Sequence, residues 1–191
     1  MIKKFGIGYS LDDWNAFLKH AQSLHYTKDI LQISGLVIEK NHKNYDRFRG
    51  RLIFPIHNIS GKVIGFGGRT LQKVTEYQPK YINSPETILY QKRKIVYGIF
   101  QAKKFIIKHD CCYVVEGYTD VIALHKISIE NVVSPLGTAL TSEHLQIISR
   151  FTKNIIMIFD GDKAGIEAVL KSIDLVLAQG LTIQILSLIH I

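Results

Sequence analysis

From residue 111 onward the chain alternates apolar, β-branched runs with amphipathic ones, and two of the apolar runs stop abruptly in acid and glycine. The first is CYVVEGYTDVIAL, ending at Leu124, and the second is IIMIFDGDKAG, Ile155 to Gly165. Runs of this kind read as strands buried on both faces of a parallel sheet, with their carboxylates delivered to the C-terminal tips. The pattern predicts strands at 112–116, 131–134, 154–159 and 181–188, with helices at 118–126, 141–151 and 163–179 between them. Such βα alternation predicts an α/β unit, a parallel sheet flanked by helices, whose ligands sit beyond the carboxyl ends of the strands. Glu116 and Asp160 fall at two of those ends, and Asp162 follows two residues later.

Three carboxylates so placed form a hard oxygen cluster suited to Mg²⁺, which takes a few carboxylates together with water and substrate phosphates. The glycines beside them allow close backbone approach to a ligand. DGD by itself is also a turn signal, so the pair of motifs carries the argument rather than either one. Asp120, four residues after Glu116, is either an additional ligand or an ordinary exposed helix residue.

The remainder of the chain has a different character. The net charge is +8, but residues 1–110 hold 19 Lys/Arg against 8 Asp/Glu, and residues 111–191 hold 5 against 8. We therefore expect a basic mixed α+β subdomain over 1–110 that holds phosphate backbones, and an acidic unit over 111–191 that concentrates divalent cations. Much of the basic charge is interleaved with aromatics, as in Tyr45, Arg47, Phe48, Arg49, Arg51 and then Lys80, Tyr81, a mixture suited to backbone contacts and base stacking. In an extended segment, Arg47, Arg49 and Arg51 would share one side. Helices are expected at 12–22 and 27–34, the second capped by Thr27 and ended by Gly35, and at 99–109. A hairpin is expected over 51–59 and 62–69 around Ser60-Gly61, and 71–94, with Pro79 and Pro85, reads mainly as loop. GFGGR, Gly65 to Arg69, lacks the Lys-Ser/Thr of a phosphate loop and reads as strand glycines that admit close nucleic-acid approach. Trp14, the only tryptophan, is assigned to the core.

EGYTD and DGDKAG together resemble the Toprim domain, shared by bacterial primases, topoisomerases, recombination-mediator proteins and related nucleases. The segments before them are FGIGYSLDDW, YDRFRGRLIFPI (Tyr45 to Ile56), GKVIGFGGR (Gly61 to Arg69), PKYINSPET (Pro79 to Thr87) and YQKRKIVYG (Tyr90 to Gly98). In this order they resemble the RNA-polymerase core of DnaG-type bacterial primases over nearly all of residues 5 to 180. The resemblance implies a Rossmann-like Toprim sheet and a DNA-directed RNA polymerase that copies single-stranded DNA into a nascent RNA primer from ribonucleoside triphosphates. It implies Mg²⁺ or Mn²⁺ on Glu116, Asp160 and Asp162 with Asp120 in support, and Asn83 beside the nucleotide. Lys80 and Lys92 would meet phosphates, and Arg47, Arg49, Arg51 and Arg69 would hold nucleic acid. A replicative helicase is the implied partner of the complete protein, in the cytoplasm.

The same resemblance implies a zinc module before Met1, a helicase-interacting domain after the chain, and an Asp-Pro-Asp motif just beyond the strand around Ile183, so the chain reads as truncated at both ends. Its last six residues, LSLIHI, resemble a translated sequencing-library adapter and are left out of the functional reading. The eight histidines follow no metal-ligand spacing, so no zinc is assigned. Adjacent Cys111 and Cys112 read as free thiols in a reducing setting. No long apolar span predicts a membrane segment. Two further function classes fit the same acids: a Toprim nuclease or topoisomerase, and a nucleic-acid-binding module without turnover.

Overall fold

The computed structural model describes residues 1–73, 79–160 and 163–188, and of 160, 163–168 and 187–188 the backbone only. The described residues fall into two compact units, one within 2–56 and 63–91 and the other within 57–62 and 92–188 together with Met1.

The first unit is built on an antiparallel sheet. In chain order its elements are α1 (Ile2–Phe5), β1 (Gly8–Ser10), α2 (Ala16–Ser23), α3 (Lys28–Ile33), β2 (Val37–Lys40), β3 (Lys43–Asp46), β4 (Arg51–His57), β5 (Val63–Thr70) and β6 (Tyr81–Asn83). The sheet order is β1-β4-β5-β6, and β2 and β3 form a separate hairpin. Its tip, Asn41-His42, has both residues at positive φ (52° and 59°), the geometry whose twist matches paired strands. The Ser60-Gly61 turn joins β4 and β5 as expected, with the Asn58 side chain accepting from the backbone of Ser60 and Lys62. Thr27 caps α3 by accepting from the Ile30 N–H at 3.4 Å. α2 starts at Ala16 rather than residue 12, because its cap comes from far away: the Asp46 carboxylate accepts from the N–H groups of Phe17 (2.6 Å) and Leu18 (3.0 Å). Leu18, Ala21, Leu31 and Val37 pack beneath these helices.

One sequence reading of this unit is corrected. Trp14 is 55 % exposed, not core. Gly65 and Gly68 make room for the protein itself: a Cβ on Gly65 would lie 2.5 Å from the Tyr90 ring, and one on Gly68 would lie 2.8 Å from Phe48.

The second unit holds α4 (Ile99–His109), β7 (Cys112–Val114), α5 (Tyr118–Lys126), β8 (Val132–Val133), α6 (Ser142–Ile148), β9 (Asn154–Asp160), α7 (Lys163–Ala178) and β10 (Thr182–Leu188), after a 3-10 turn at Lys92–Lys94. The strands lie in the order β10-β9-β7-β8, every pair parallel, which is the expected helix-flanked parallel sheet. Cys112, Val114, Ile155 and Met157 of the sheet pack with Ile99, Ala102 and Ile106 of α4, Leu145 and Ile148 of α6, and Val169 and Val176 of α7. Apolar residues on both faces of β7 and β9 are why these strands read as continuous hydrophobic runs. Both cysteine thiols are free, and burial pushes that of Cys112 far up. Among the described residues no helix is long and apolar enough to cross a membrane.

Candidate active site

β7 and β9 are neighbours, with Val114 opposite Met157. Continuing that register carries Glu116 and Asp160 to adjacent strand tips at the carboxyl edge of the sheet, where open α/β sheets bind ligands. Glu116 is exposed and lines two cavities. One, of about 280 Å³, is shared with Asp120 and closed by Val115, Ala123, Leu124, Ile158 and Phe159. The other, of about 320 Å³, lies between the strand tips and the loop Pro135–Leu140. The side chain of Asp160 and all of Asp162 lie outside the described residues.

The backbone beneath Glu116 is held on both sides. Its carbonyl accepts from the Ser134 hydroxyl at 2.7 Å and from the Gly137 N–H at 3.2 Å. The next amide, Gly117 N–H, donates to Asp120 Oδ2 at 2.9 Å, so Asp120 also secures the first turn of α5. Ser134 is fully buried and accepts from the Leu136 N–H, which supports Leu136 at φ 63°, a conformation an L residue adopts only when its surroundings demand it. Ser134 also pairs with Tyr97 through both backbone bonds, 2.8 and 3.1 Å. The strand-like segment after Lys92–Lys94 is thereby tied to the residue that steadies Glu116, and Lys92 is exposed at its head.

The other predicted residues belong to the antiparallel unit. Residues 47–50 turn rather than extend, yet Arg47, Arg49 and Arg51 still line one groove of about 540 Å³ with Trp14, Tyr45 and Ile82. Their guanidinium groups are used differently. Arg47 donates through Nε and NH2 to the Asn83 carbonyl, at 3.3 and 3.0 Å. Arg51, buried, donates to the Pro79 carbonyl at 3.0 Å and reaches those of Gly68 and Lys80. Burial pulls both pKa values below the ordinary arginine value, and the neighbouring charge of Arg49 adds to this for Arg51. Arg49 lies 3.4 Å over the Trp14 ring, with Asp12 at 3.5 Å and Tyr45 edge-on to the same indole. Arg69 and Lys80 approach the Tyr81 ring at 5.7 and 5.9 Å. Asn83 stands opposite Gly67 in the ladder, and the adjacent Ser84 accepts from the Phe66 N–H.

Residues 1–103 match the DNA primase catalytic core, N-terminal domain, and residues 110–187 match the Toprim domain. The chain belongs to the DnaG-type DNA primase family. It is 42 % identical over 187 residues to the DNA primase of Clostridium acetobutylicum, across 98 % of this chain and 31 % of that protein. The RNA polymerase domain of the Mycobacterium tuberculosis primase DnaG superposes with a TM-score of 0.89 at 37 % identity, over 98 % of this chain and 63 % of that one. A DnaG primase catalytic domain solved bound to single-stranded DNA superposes with a TM-score of 0.88 at 36 % identity, over 98 % and 61 %. The chain spans about a third of the length of curated primases such as the clostridial one.

Primases of the Toprim family are metal-dependent, and the donors here fit a hard divalent cation. Glu116 and Asp120 offer exposed carboxylates at a strand tip, in a cavity whose other walls are aliphatic or aromatic. Sequence reasoning passed over Ser134, Thr141 and His144, which shape the loops of this unit. The signal for Thr141 was legible: a threonine before an apolar helix, with a side chain three residues on that reaches back to it. The exposure of Trp14 was legible in its place beside acids, in LDDW, rather than among apolar neighbours.

Proposed function

We propose that this chain carries the nucleotide-joining centre of a DNA primase, which builds short RNA primers on single-stranded DNA from ribonucleoside triphosphates during replication. The observation that carries this reading is the arrival of Glu116 and Asp160 at adjacent tips of a parallel sheet in a member of the primase family. In the proposed reaction the 3′-oxygen of the nascent RNA attacks the α-phosphate of the incoming nucleotide. A phosphodiester forms and pyrophosphate leaves.

Mg²⁺, or Mn²⁺ in its place, would be held by Glu116, Asp160 and Asp162 with Asp120 in support. When bound it would lower the pKa of the attacking hydroxyl and offset the charge of the leaving group. The chain's own part is positional. Ser134 and Gly137 hold the Glu116 backbone, Lys92 and Lys80 offer point charges to phosphates, and Arg49 on Trp14 offers a flat cationic surface on which a template base can stack. Arg47, Arg51, Arg69 and Asn83 complete the template side, the first two chiefly by holding the Pro79–Asn83 segment in place. The division of work would follow the chain, with residues 1–110 as the template-holding subdomain and 111–191 as the Toprim domain. A related catalytic domain bound to single-stranded DNA supports the choice of template. In the complete protein the partner would be the replicative helicase, in the cytoplasm.

Incubation with single-stranded DNA, ribonucleotides and Mg²⁺ or Mn²⁺, followed by resolution of the products, tests the proposal. Metal-dependent short RNAs support it. Nicked or relaxed supercoiled plasmid with no RNA would reassign the acids to strand cleavage, and DNA binding without either product would leave a binding module.

A further inference from the structure

The Lys92–Lys94 turn is joined to the start of α6 by hydrogen bonds that the parallel sheet does not require. The His144 ring is fully buried. Its Nδ1 accepts from the Thr141 N–H at 3.2 Å, and its Nε2 lies 2.9 Å from the Lys92 carbonyl oxygen. A carbonyl only accepts and an N–H only donates, so the proton sits on Nε2 and the ring is neutral. Thr141 Oγ1 donates to the Arg93 carbonyl at 2.7 Å while accepting from the His144 N–H at 3.2 Å. Two consecutive carbonyls of the turn are thus gripped from α6, and the side chains of Lys92, Arg93 and Lys94 stay exposed.

A three-residue 3-10 turn does not sustain itself, since such bonds are poorly aligned and few. Here the internal bond from the Ile95 N–H to the Lys92 carbonyl is 3.2 Å long. A ring needed only to fill space would be an aliphatic side chain, because burying an imidazole without directional partners is costly. The turn leads through Ile95 and Val96 to Tyr97, which is bonded to Ser134, the residue that holds the Glu116 carbonyl. A shift of the turn therefore changes the placement of the Lys92 charge relative to the acidic tip.

We infer that His144, acting with Thr141, is a positioning residue for nucleotide binding: it holds the backbone of Lys92 and Arg93 so that Lys92 presents its charge to a nucleoside triphosphate. The inference rests on the reading of Lys92 as a phosphate contact. Burial, which lowers the pKa of His144, agrees with a neutral ring. The charged groups around it are Glu143 on its own helix and Lys92, Arg93 and Lys94 on the turn, with Arg93 Nε 3.8 Å from Glu143. On α7, packed against α6, Lys171 and Asp174 are exposed.

Two substitutions divide the ring's functions. His144→Asn keeps an acceptor near the position of Nδ1 but has nothing to offer the Lys92 carbonyl, whereas His144→Gln places an amide N–H near Nε2. In titrations of the full chain with a fluorescent ATP analogue and Mg²⁺, affinity should fall about five- to tenfold in His144→Asn and stay within about twofold of the parent in His144→Gln. Thr141→Val, a milder lesion that leaves the ring in place, should weaken binding by about threefold. Affinity for single-stranded DNA should be the same in all of them. Parent-like ATP affinity in both His144→Asn and Thr141→Val, or equal losses in the Asn and Gln variants, would overturn the inference. A parent chain with no affinity for the analogue would instead sink the nucleotide reading. Amide exchange at Ile95 then decides the clamp by itself: faster exchange in His144→Asn than in His144→Gln supports it, and equal rates overturn it.

Discussion

The antiparallel and parallel units place their charges in opposite ways. Arg47 and Arg51 turn their donors onto the protein's own carbonyls, while Glu116 stands exposed at a strand tip with its backbone carbonyl held by Ser134 and Gly137. The lesson is that a basic count overstates a basic surface. Arg51 is 5 % exposed, and only part of the RFRGR segment, Arg49 against Trp14, offers a charge beside an exposed aromatic.

The largest effect that sharpens this contrast is expected at the acidic tip. Glu116→Gln removes a charge with little change of shape, so RNA synthesis should fall about a hundredfold or more while binding of single-stranded DNA is retained. Synthesis close to the parent rate would take Glu116 out of the site. Next comes Arg51→Ala, which removes a buried side chain and the donor it gives to the Pro79 and Gly68 carbonyls, and should lower unfolding stability by about 1–3 kcal/mol with an unchanged salt dependence of DNA binding. Denaturant titration measures the first quantity and binding at several salt concentrations the second.

Arg49→Ala and Lys80→Ala should do the reverse, leaving stability nearly intact and each flattening the salt slope on single strands by about 0.7. A flattened slope for Arg51 with unchanged stability, and none for Arg49 or Lys80, would invert the comparison between the buried and exposed cations.

The smallest expected effect is of pH on the parallel unit. The folded-state pKa of His144 is depressed by burial, so its neutral ring contributes stability in full above about 6.5, the unfolded value, and loses it as pH falls through the lower folded value. His144→Gln should remove that part of the slope in unfolding free energy between neutral and mildly acid pH. Identical slopes for parent and variant would mean that the ring does not titrate in this way.

Much of the parallel unit was legible because its signals are local. Helices 99–109 and 118–126 have the expected bounds, and the four strands lie where apolar runs stop at acid, glycine or polar turns. The antiparallel unit was less so. β2 and β3 escaped notice because VIEKNHKNYD lacks clean alternation and its turn uses Asn-His rather than a glycine. α2 starts four residues later than the expected helix over 12–22 because the carboxylate that receives its first N–H groups is that of Asp46, 28 to 29 residues away. Residue type alone assigns Trp14 to the core, although stacking beneath Arg49 leaves more than half of it open to solvent.

By itself, the order of residues determined the parallel class of the second unit, the acids that reach its edge and the family, since hydrophobic period and motif order are properties of neighbouring residues. The tertiary structure alone decided which strands lie side by side, which arginines are consumed by backbone carbonyls, and that Ser134, Thr141 and His144 hold loop backbone of the parallel unit. Those outcomes depend on partners dozens of residues apart, such as Lys92 with His144 or Arg51 with Pro79, and a hydrogen bond across such a separation leaves no periodic trace in the chain.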